Sequence, residues 1–455
     1  MSQKIALIGG GGVRTPLVVF GINEAYKRIG ADELCLFDTD SERLRIMAAL
    51  SEGIIAREAG VLRLRVARSA EEAIEGASFV LNSVRVGGAA SRASDERVAI
   101  AHGYPGQETT GPAGVAMALR TVPIVLQQAQ LVERLSPQAW IVNFTNPAGL
   151  ITQAISTHTG ARVVGICDTP TELFHRIALA LDHPQDQVRC DYVGLNHLGW
   201  VTHVWHRGQD KTEQLLADDA ALRSLYSAEL FEPGLIRALG LIPTEYLFFY
   251  YSRRKALANQ TKAGATRGEE VVRLNEQLMR DLSRHLNAGD DTAAHQVYVD
   301  YLNQRSGSYM KLEASAGSAF RSSEMLQEDP FRAATGYHRV ALDVIEALCQ
   351  PHPRRVVVNV KNRGAITELP EDDIVETPCS ISNGGIIPES RATLPEAVRG
   401  LVLSVKAYEH AAIAAAVDGS AATAQKAMLL YPPIGEWEPA GELVRSLIKE
   451  QKVWT

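Results

Sequence analysis

Short apolar runs alternate with helix-period stretches over the first 170 residues. Lys4 to Ile8 (KIALI), Leu34 to Asp38 (LCLFD), Ser78 to Asn82 (SFVLN), Trp140 to Phe144 (WIVNF) and Arg162 to Ile166 (RVVGI) read as buried strands. Helices fall between them. One follows Thr15-Pro16, and another runs from Ser41 to Glu58 with Ser41 as its N-cap. Apolar strands separated by helices build a parallel sheet covered on both faces. The pattern predicts a doubly wound, Rossmann-like α/β domain over residues 1–195.

Beyond that the rhythm turns helical, with two strand-like pieces at Arg355 to Val360 and Asp373 to Glu376. A long helix is expected near Pro395, whose fixed φ suits a first helical turn. Its Val398, Leu401, Val402 and Val405 form an apolar stripe, for the core or for a subunit interface. Residues 196–455 thus read as a mostly helical α+β domain for substrate binding and oligomerisation. No run approaches the roughly 20 apolar residues that span a bilayer. The opening MSQKIALIGG enters a strand without the apolar core of a signal peptide.

Composition narrows this little. With 46 basic and 53 acidic residues the net charge is −7, which offers no footprint for nucleic acid or an anionic membrane. Five cysteines, at 35, 167, 190, 349 and 379, are an odd set without CxxC spacing. They form neither a disulfide framework nor a structural zinc site, which favours a reducing cytoplasm.

The candidate chemistry is more specific. Gly9-Gly10-Gly11-Gly12-Val13-Arg14 follows the first strand and opens the first helix. Glycines there let the backbone turn sharply and approach a pyrophosphate held at the helix N-terminus. The third glycine of GxGxxG is missing, because Arg14 occupies its place. Asp38 ends the second strand 23 residues beyond Thr15, near where a carboxylate would bond a ribose hydroxyl and disfavour a 2′-phosphate. A merely tight strand-to-helix turn is the plainer alternative. Four further polar segments lie at expected strand ends: GQETT (106–110), NFTNP (143–147), GICDTP (165–170) and GLNH (194–197). Cys167 and His197 could together grip a borderline-soft divalent metal. By themselves, a Cys and a His thirty residues apart are more often core residues.

The segments IGGGGVRTP, GQETTGP, NFTNPAG, GICDTP, GLNHLGW and IPTEYLFFYY, in this order, resemble family-4 glycoside hydrolases, the 6-phospho-β-glucosidases above all. VVNVKNRGAI and LPEAVRGLV extend the resemblance over nearly the whole chain. It implies a cytoplasmic hydrolase that uses NAD⁺ and a divalent metal, usually Mn²⁺, outside the usual two-carboxylate scheme. In that family NAD⁺ oxidises C3 of the sugar, a tyrosine removes the C2 proton, the glycosidic oxygen is eliminated, and water adds before the hydride returns. Carried over by motif, Cys167 and His197 are the metal ligands. Tyr246 is the base, and Glu108 raises its basicity. Asn146, Arg92 and Arg267 contact the sugar. Gly9 to Gly12, Arg14 and Asp38 are read from the turn itself as the cofactor site, with Arg14 also able to contact an anion on the sugar or to reach solvent. A homodimer or homotetramer is the family's usual state.

Two departures stand out. Asp168 follows the metal-binding cysteine where the β-acting members have Asn; in the α-acting branch an Asp there is the general acid. A carboxyl that merely orients the metal ligand is the other reading of Asp168. Gly12-Val13-Arg14 replaces a Ser-Ser-Tyr. The alternatives are an α-acting enzyme, one for an unphosphorylated sugar, or a 2-hydroxyacid dehydrogenase, which would have no use for the Cys167/His197 pair.

Overall fold

The computed structural model describes residues 3–226, 228–314, 329–389 and 391–451. Among them, six parallel strands form the first half of a sheet: β1 (Gln3–Ile8), β2 (Ala31–Phe37), β3 (Arg63–Val66), β4 (Ala77–Asn82), β5 (Trp140–Asn143) and β6 (Arg162–Gly165). Their spatial order is β3-β2-β1-β4-β5-β6, with every neighbouring pair parallel. That is the doubly wound order, which reverses between β1 and β4 and opens a crevice at the carboxyl ends of those strands. Ile5, Leu7, Leu34, Leu36, Phe79, Leu81 and Val142 fill one face, and Ala6, Ile8, Cys35, Val80 and Ile141 the other. Both faces are buried, as the unbroken apolar runs predict.

The five strands expected in this half are present, four of them within one residue at both ends, while β2 begins at Ala31, three residues before the expected Leu34. Three local expectations need correction. Asp40, not Ser41, caps the helix Ser41–Arg57, because its extended backbone lets Oδ1 accept from the Arg43 N–H at 3.0 Å. Pro395 is likewise the N-cap, at ψ 139°, and the helix Glu396–Asp418 begins after it. Pro112–Leu135 and Glu396–Asp418 are also long and apolar enough to cross a membrane by length and composition, contrary to the sequence reading. These two helices pack against each other in the core, where Val398, Val402 and Val405 are buried.

The second half is mostly helical, as expected, and its strands extend the same sheet. The added strands are β7 (Val188–Leu195), β8 (Leu198–His206), β9 (Gln209–Asp210), β10 (Ile242–Pro243), β11 (Arg354–Lys361), β12 (Ile374–Ser382) and β13 (Gly385–Pro388). The order runs β10-β8-β7-β12-β11-β6, all antiparallel. Two seams in this extension are thin. Only Asn359 pairs with Gly165 between β11 and β6, and only Glu376 with Gly194 between β12 and β7.

Side chains reinforce those seams. Buried Glu376 accepts hydrogen bonds from the Tyr192 hydroxyl (2.6 Å), Asn359 Nδ2 (3.0 Å) and Asn196 Nδ2 (3.1 Å). The helix Glu396–Asp418 is tied to the same strand. Its buried Lys406 donates to the Ile374 carbonyl at 2.7 Å and to Glu409 at 2.6 Å. Breaking a buried pair leaves an uncompensated charge. We therefore expect Lys406→Met to cost about 3–5 kcal/mol in urea unfolding, and Lys406→Met/Glu409→Met to regain most of it. A single variant as stable as the wild type contradicts that account.

Candidate active site

The carboxyl ends of β1, β2, β4, β5 and β6 deliver side chains or turns toward the crevice. Gly9 leaves β1 at φ +93°, and a Cβ there would lie 2.3 Å from the Ser83 carbonyl oxygen just beyond β4. Only glycine fits. The Gly11 N–H donates to Asp38 Oδ2 at 2.9 Å and the Asp40 N–H to Asp38 Oδ1 at 3.0 Å, fixing the carboxylate over the turn. Each oxygen keeps acceptor capacity. No side chain caps the helix Thr15–Ile29 at Arg14, so the positive end of its dipole stays available to an anion. A pyrophosphate over Gly9 to Gly12 and a ribose on Asp38 fit this cradle.

Cys167 and Asp168 follow β6. The Cys167 thiol is 2 % exposed; burial, with Glu376 and Asp168 nearby, pushes its pKa well above the ordinary value. Burial also raises Asp168, to about 6, against the pull of Arg14. His197 lies at the tip of the β7–β8 hairpin, joined by only Asn196 and His197, and adopts φ +60°. It is 2 % exposed, and burial lowers its pKa to about 3, so the ring is neutral. Its Nδ1 is 2.8 Å from Thr109 Oγ1, while its buried Nε2 has no partner among the described residues.

Tyr246, in the turn Glu245–Leu247 after β10, stacks on that imidazole with ring centroids 3.7 Å apart and planes 13° apart. The Cys167 sulfur is close enough to Tyr246 to bear on its charge. Tyr246 thus neighbours both proposed ligands, His197 through the ring stack and Cys167 through its charge. Do they fit a divalent cation? The orphaned Nε2 and the adjoining thiol are a borderline and a soft donor, and among the described residues no third His, Cys, Asp or Glu joins them. Two protein donors that leave positions for substrate oxygens fit such an ion.

Tyr246 itself is pushed well above its ordinary pKa by burial, then by Glu245; Glu108 adds to this. Burial would raise Glu108 too, but Arg85 and Arg92 hold it well below the usual carboxylate range. Arg92 lies 3.0 Å from Glu108 and its Nε donates to Glu96 at 2.7 Å. Arg267 is turned inward: it donates to Glu270 (2.6 Å) and to the Arg305 carbonyl (2.8 Å). Asn146 Oδ1 is buried without a partner, and Arg14 lies over the Tyr337 ring, 4.3 Å from its centroid.

Sequence reasoning missed several neighbours. Arg305 donates to the Tyr301 hydroxyl (2.6 Å) and Asn275 Oδ1 (3.3 Å), with no carboxylate in ion-pair range among the described residues. Burial, reinforced by Arg14 and Arg267, lowers its pKa. A half-buried guanidinium without a counterion, facing the same cleft as Arg14, is a place for an anion. Glu245 beside Tyr246, raised to about 7 by burial, accepts from the Thr169 hydroxyl at 3.1 Å. Burial without an ion-pair partner among the described residues marks both groups, and no sequence spacing encodes that.

The sheet order and glycine crevice define a doubly wound, dinucleotide-binding type of protein, and a Cys/His/Tyr cluster beside the crevice is foreign to its plain dehydrogenases. The chain belongs to the family 4 glycosyl hydrolases. The Family 4 glycosyl hydrolase model matches residues 4–183 and the Family 4 glycosyl hydrolase C-terminal domain residues 192–434. The chain is 31 % identical to the 6-phospho-beta-glucosidase of Escherichia coli, over all of this chain and 97 % of that one. It is similar to the 6-phospho-beta-glucosidase of Thermotoga maritima solved with NAD and glucose-6-phosphate (26 % identity, TM-score 0.84, 99 % of both chains). That protein has also been solved with manganese, NAD⁺ and glucose-6-phosphate. A 6-phospho-alpha-glucosidase from gut microorganisms, with NAD and glucose-6-phosphate, is as near (27 %, TM-score 0.84, 100 % of this chain and 99 % of that one). Lactate dehydrogenase from Eimeria maxima, at 14 % identity and TM-score 0.53, shares the fold alone.

The loop carrying Glu108 is held from behind by Gln260, which accepts from the Gly106 N–H at 2.9 Å and donates to its carbonyl at 2.8 Å. Buried Glu313 abuts Gln260 and is raised by burial to about 7. Because its native pKa exceeds the unfolded value near 4.5, the folded state holds the extra proton between pH 4.5 and 7, and stability falls as pH rises through that window. Glu313→Gln removes the penalty. The variant is expected to gain on the wild type by about 1.4 kcal/mol per pH unit across that window. A gap independent of pH overturns this.

Proposed function

We propose that the chain is an NAD⁺- and Mn²⁺-dependent glycosidase acting on 6-phospho-β-glucosides. The observation that carries the reading is the stack of Tyr246 on His197, with an unpartnered Nε2, next to Cys167 and the glycine crevice. The solved relatives hold NAD, manganese and glucose-6-phosphate, and both donor sets present here fit such cofactors. When bound, NAD⁺ supplies a hydride acceptor and the cation a Lewis acid that acidifies the neighbouring groups.

The chain's own residues then divide the work. Tyr246 takes the proton from C2 of the sugar. Ionised Glu108, fixed by Arg85 and Arg92, projects negative charge toward that phenol and makes it more basic. Asn146 Oδ1 accepts from a sugar hydroxyl. Arg14 and Arg305 supply the positive charge for a 6-phosphate, which explains how a chain of net charge −7 can take an anionic substrate. Arg92 and Arg267, saturated by Glu96, Glu108 and Glu270, hold this wall in place.

Asp168 favours a second reading. Raised to about 6, its carboxyl is poised to protonate a departing oxygen, the part an α-acting relative assigns to it. Identity to the E. coli 6-phospho-beta-glucosidase (31 %) exceeds the 27 % to the 6-phospho-alpha-glucosidase from gut microorganisms, and it weighs toward β. The cysteines, all free among the described residues, support the cytoplasm. Exposed Ile124, Leu403 and Val417 support a homodimer or homotetramer.

Dialysed enzyme given NAD⁺ and Mn²⁺ is expected to cleave nitrophenyl 6-phospho-β-glucoside in preference to the α anomer and to either unphosphorylated glucoside, with solvent deuterium entering C2. Undiminished cleavage without NAD⁺ refutes the reading, and preference for the α anomer selects the second. Arg305→Ala is expected to raise KM for the phosphorylated substrate by about tenfold or more, as loss of a charge-assisted contact of roughly 1.5–3 kcal/mol requires. An unchanged KM removes Arg305 from the phosphate site.

A further inference from the structure

Resting on the metal dependence proposed above, we infer that Thr109, backed by Gln107, is a positioning residue that sets the tautomer of His197 and aims its Nε2 lone pair at the divalent cation. The argument begins with the orientation of Gln107. The backbone N–H groups of Thr109 and Thr110 both converge on one atom of its amide, each at 2.7 Å. Two N–H donors can meet only an acceptor, so that atom is the carbonyl oxygen. Thr109 Oγ1 lies 2.8 Å from this oxygen and 2.8 Å from His197 Nδ1.

A threonine hydroxyl has one proton to give. The Gln107 oxygen can only receive it, whereas His197 Nδ1 can either receive or donate. Given to Gln107, the proton leaves Oγ1 free to accept from Nδ1–H, and every donor in the chain of bonds is used. Nε2 is then a bare lone pair. In the reverse arrangement, Thr109 donates to Nδ1 and Nε2 carries a buried proton with no acceptor. That arrangement also bars Nε2 from ligation, since an imidazole nitrogen binds a metal only when deprotonated.

The geometry around the relay is stiff. Gln107, Thr109 and His197 are 7 %, 7 % and 2 % exposed. A Cβ on Gly114, in the first turn of the next helix, would lie 2.6 Å from the Thr109 carbonyl oxygen, so the loop is pressed against that helix. On the opposite side Tyr246 covers the imidazole face at 3.7 Å. Thr109 thus reaches the reaction only through His197, which fixes how the inference is tested.

The test titrates the full-length, NAD⁺-loaded chain with Mn²⁺ and follows free Mn²⁺ by electron paramagnetic resonance. Thr109→Val keeps the shape and removes the hydroxyl, and it is expected to weaken Mn²⁺ binding about tenfold or more. Thr109→Ser restores it to within about twofold, and NAD⁺ binding stays unchanged in both. Without recourse to a Thr109 variant, nitrogen-15 histidine spectra of the metal-free wild type are expected to show the Nδ1–H form for the signal lost in His197→Ala. Wild-type Mn²⁺ affinity in Thr109→Val, or the Nε2–H form in those spectra, overturns the inference while leaving the metal reading intact. A wild type that binds no Mn²⁺, or His197→Ala binding it undiminished, brings down the metal reading itself and this inference with it.

Discussion

The carboxylate of Glu376 is the interaction on which the site depends. It is 1 % exposed, and burial raises its pKa, so its three hydrogen bonds offset a substantial desolvation cost. Those bonds bind three strands at the place where backbone pairing is weakest. Tyr192 lies on β7, Asn359 on β11 and Asn196 at the hairpin tip beyond β7. Asn196 in turn accepts from the Gly149 N–H, after β5, at 3.3 Å. One carboxylate therefore registers the antiparallel half of the sheet against the parallel half. It also places the residue next to His197.

Around this anchor the molecule sorts its buried charge into two kinds. Glu108, Arg85, Arg92 and Glu96 neutralise one another, and such a paired set is rigid without being especially stabilising. Arg305, Asp168 and Glu245 lack a full complement of partners, and burial shifts each toward its neutral form. Groups of the second kind cluster in the cleft, as expected where the folded chain stores unsatisfied interactions for a ligand. The distinction also explains why Arg92 and Arg267, conspicuous in the sequence, are occupied by protein carboxylates, while the inconspicuous Arg305 is not.

The parallel half was legible because each signal was local. Five apolar runs, a glycine turn at the end of the first and Asp38 at the end of the second could all be read from spacing. Of the antiparallel half only β11 and the start of β12 were legible, as the pieces Arg355 to Val360 and Asp373 to Glu376. β7 and β8 meet through Asn196-His197, which lacks the glycine of a common two-residue turn. β12 contains Pro378, a residue that argues against an inner strand. The structure tolerates it because β12 contacts β7 at Glu376 and β13 only from Cys379 onward, so the missing N–H falls near the break. The cluster of Cys167, His197 and Tyr246 followed from the family resemblance. Contacts such as Thr109 with His197, 88 positions apart, exist only once the seams have closed.

That last point bears on how the molecule comes together. Cys167 follows β6 of the parallel half, and His197 is carried on a hairpin that, among the described residues, joins that sheet through the thin seam at Glu376. Neither half presents both donors by itself. On the proposed ligand pair, ion capture would require that seam to be closed. A chain caught with the seam open would have a formed nucleotide crevice and no place for the metal.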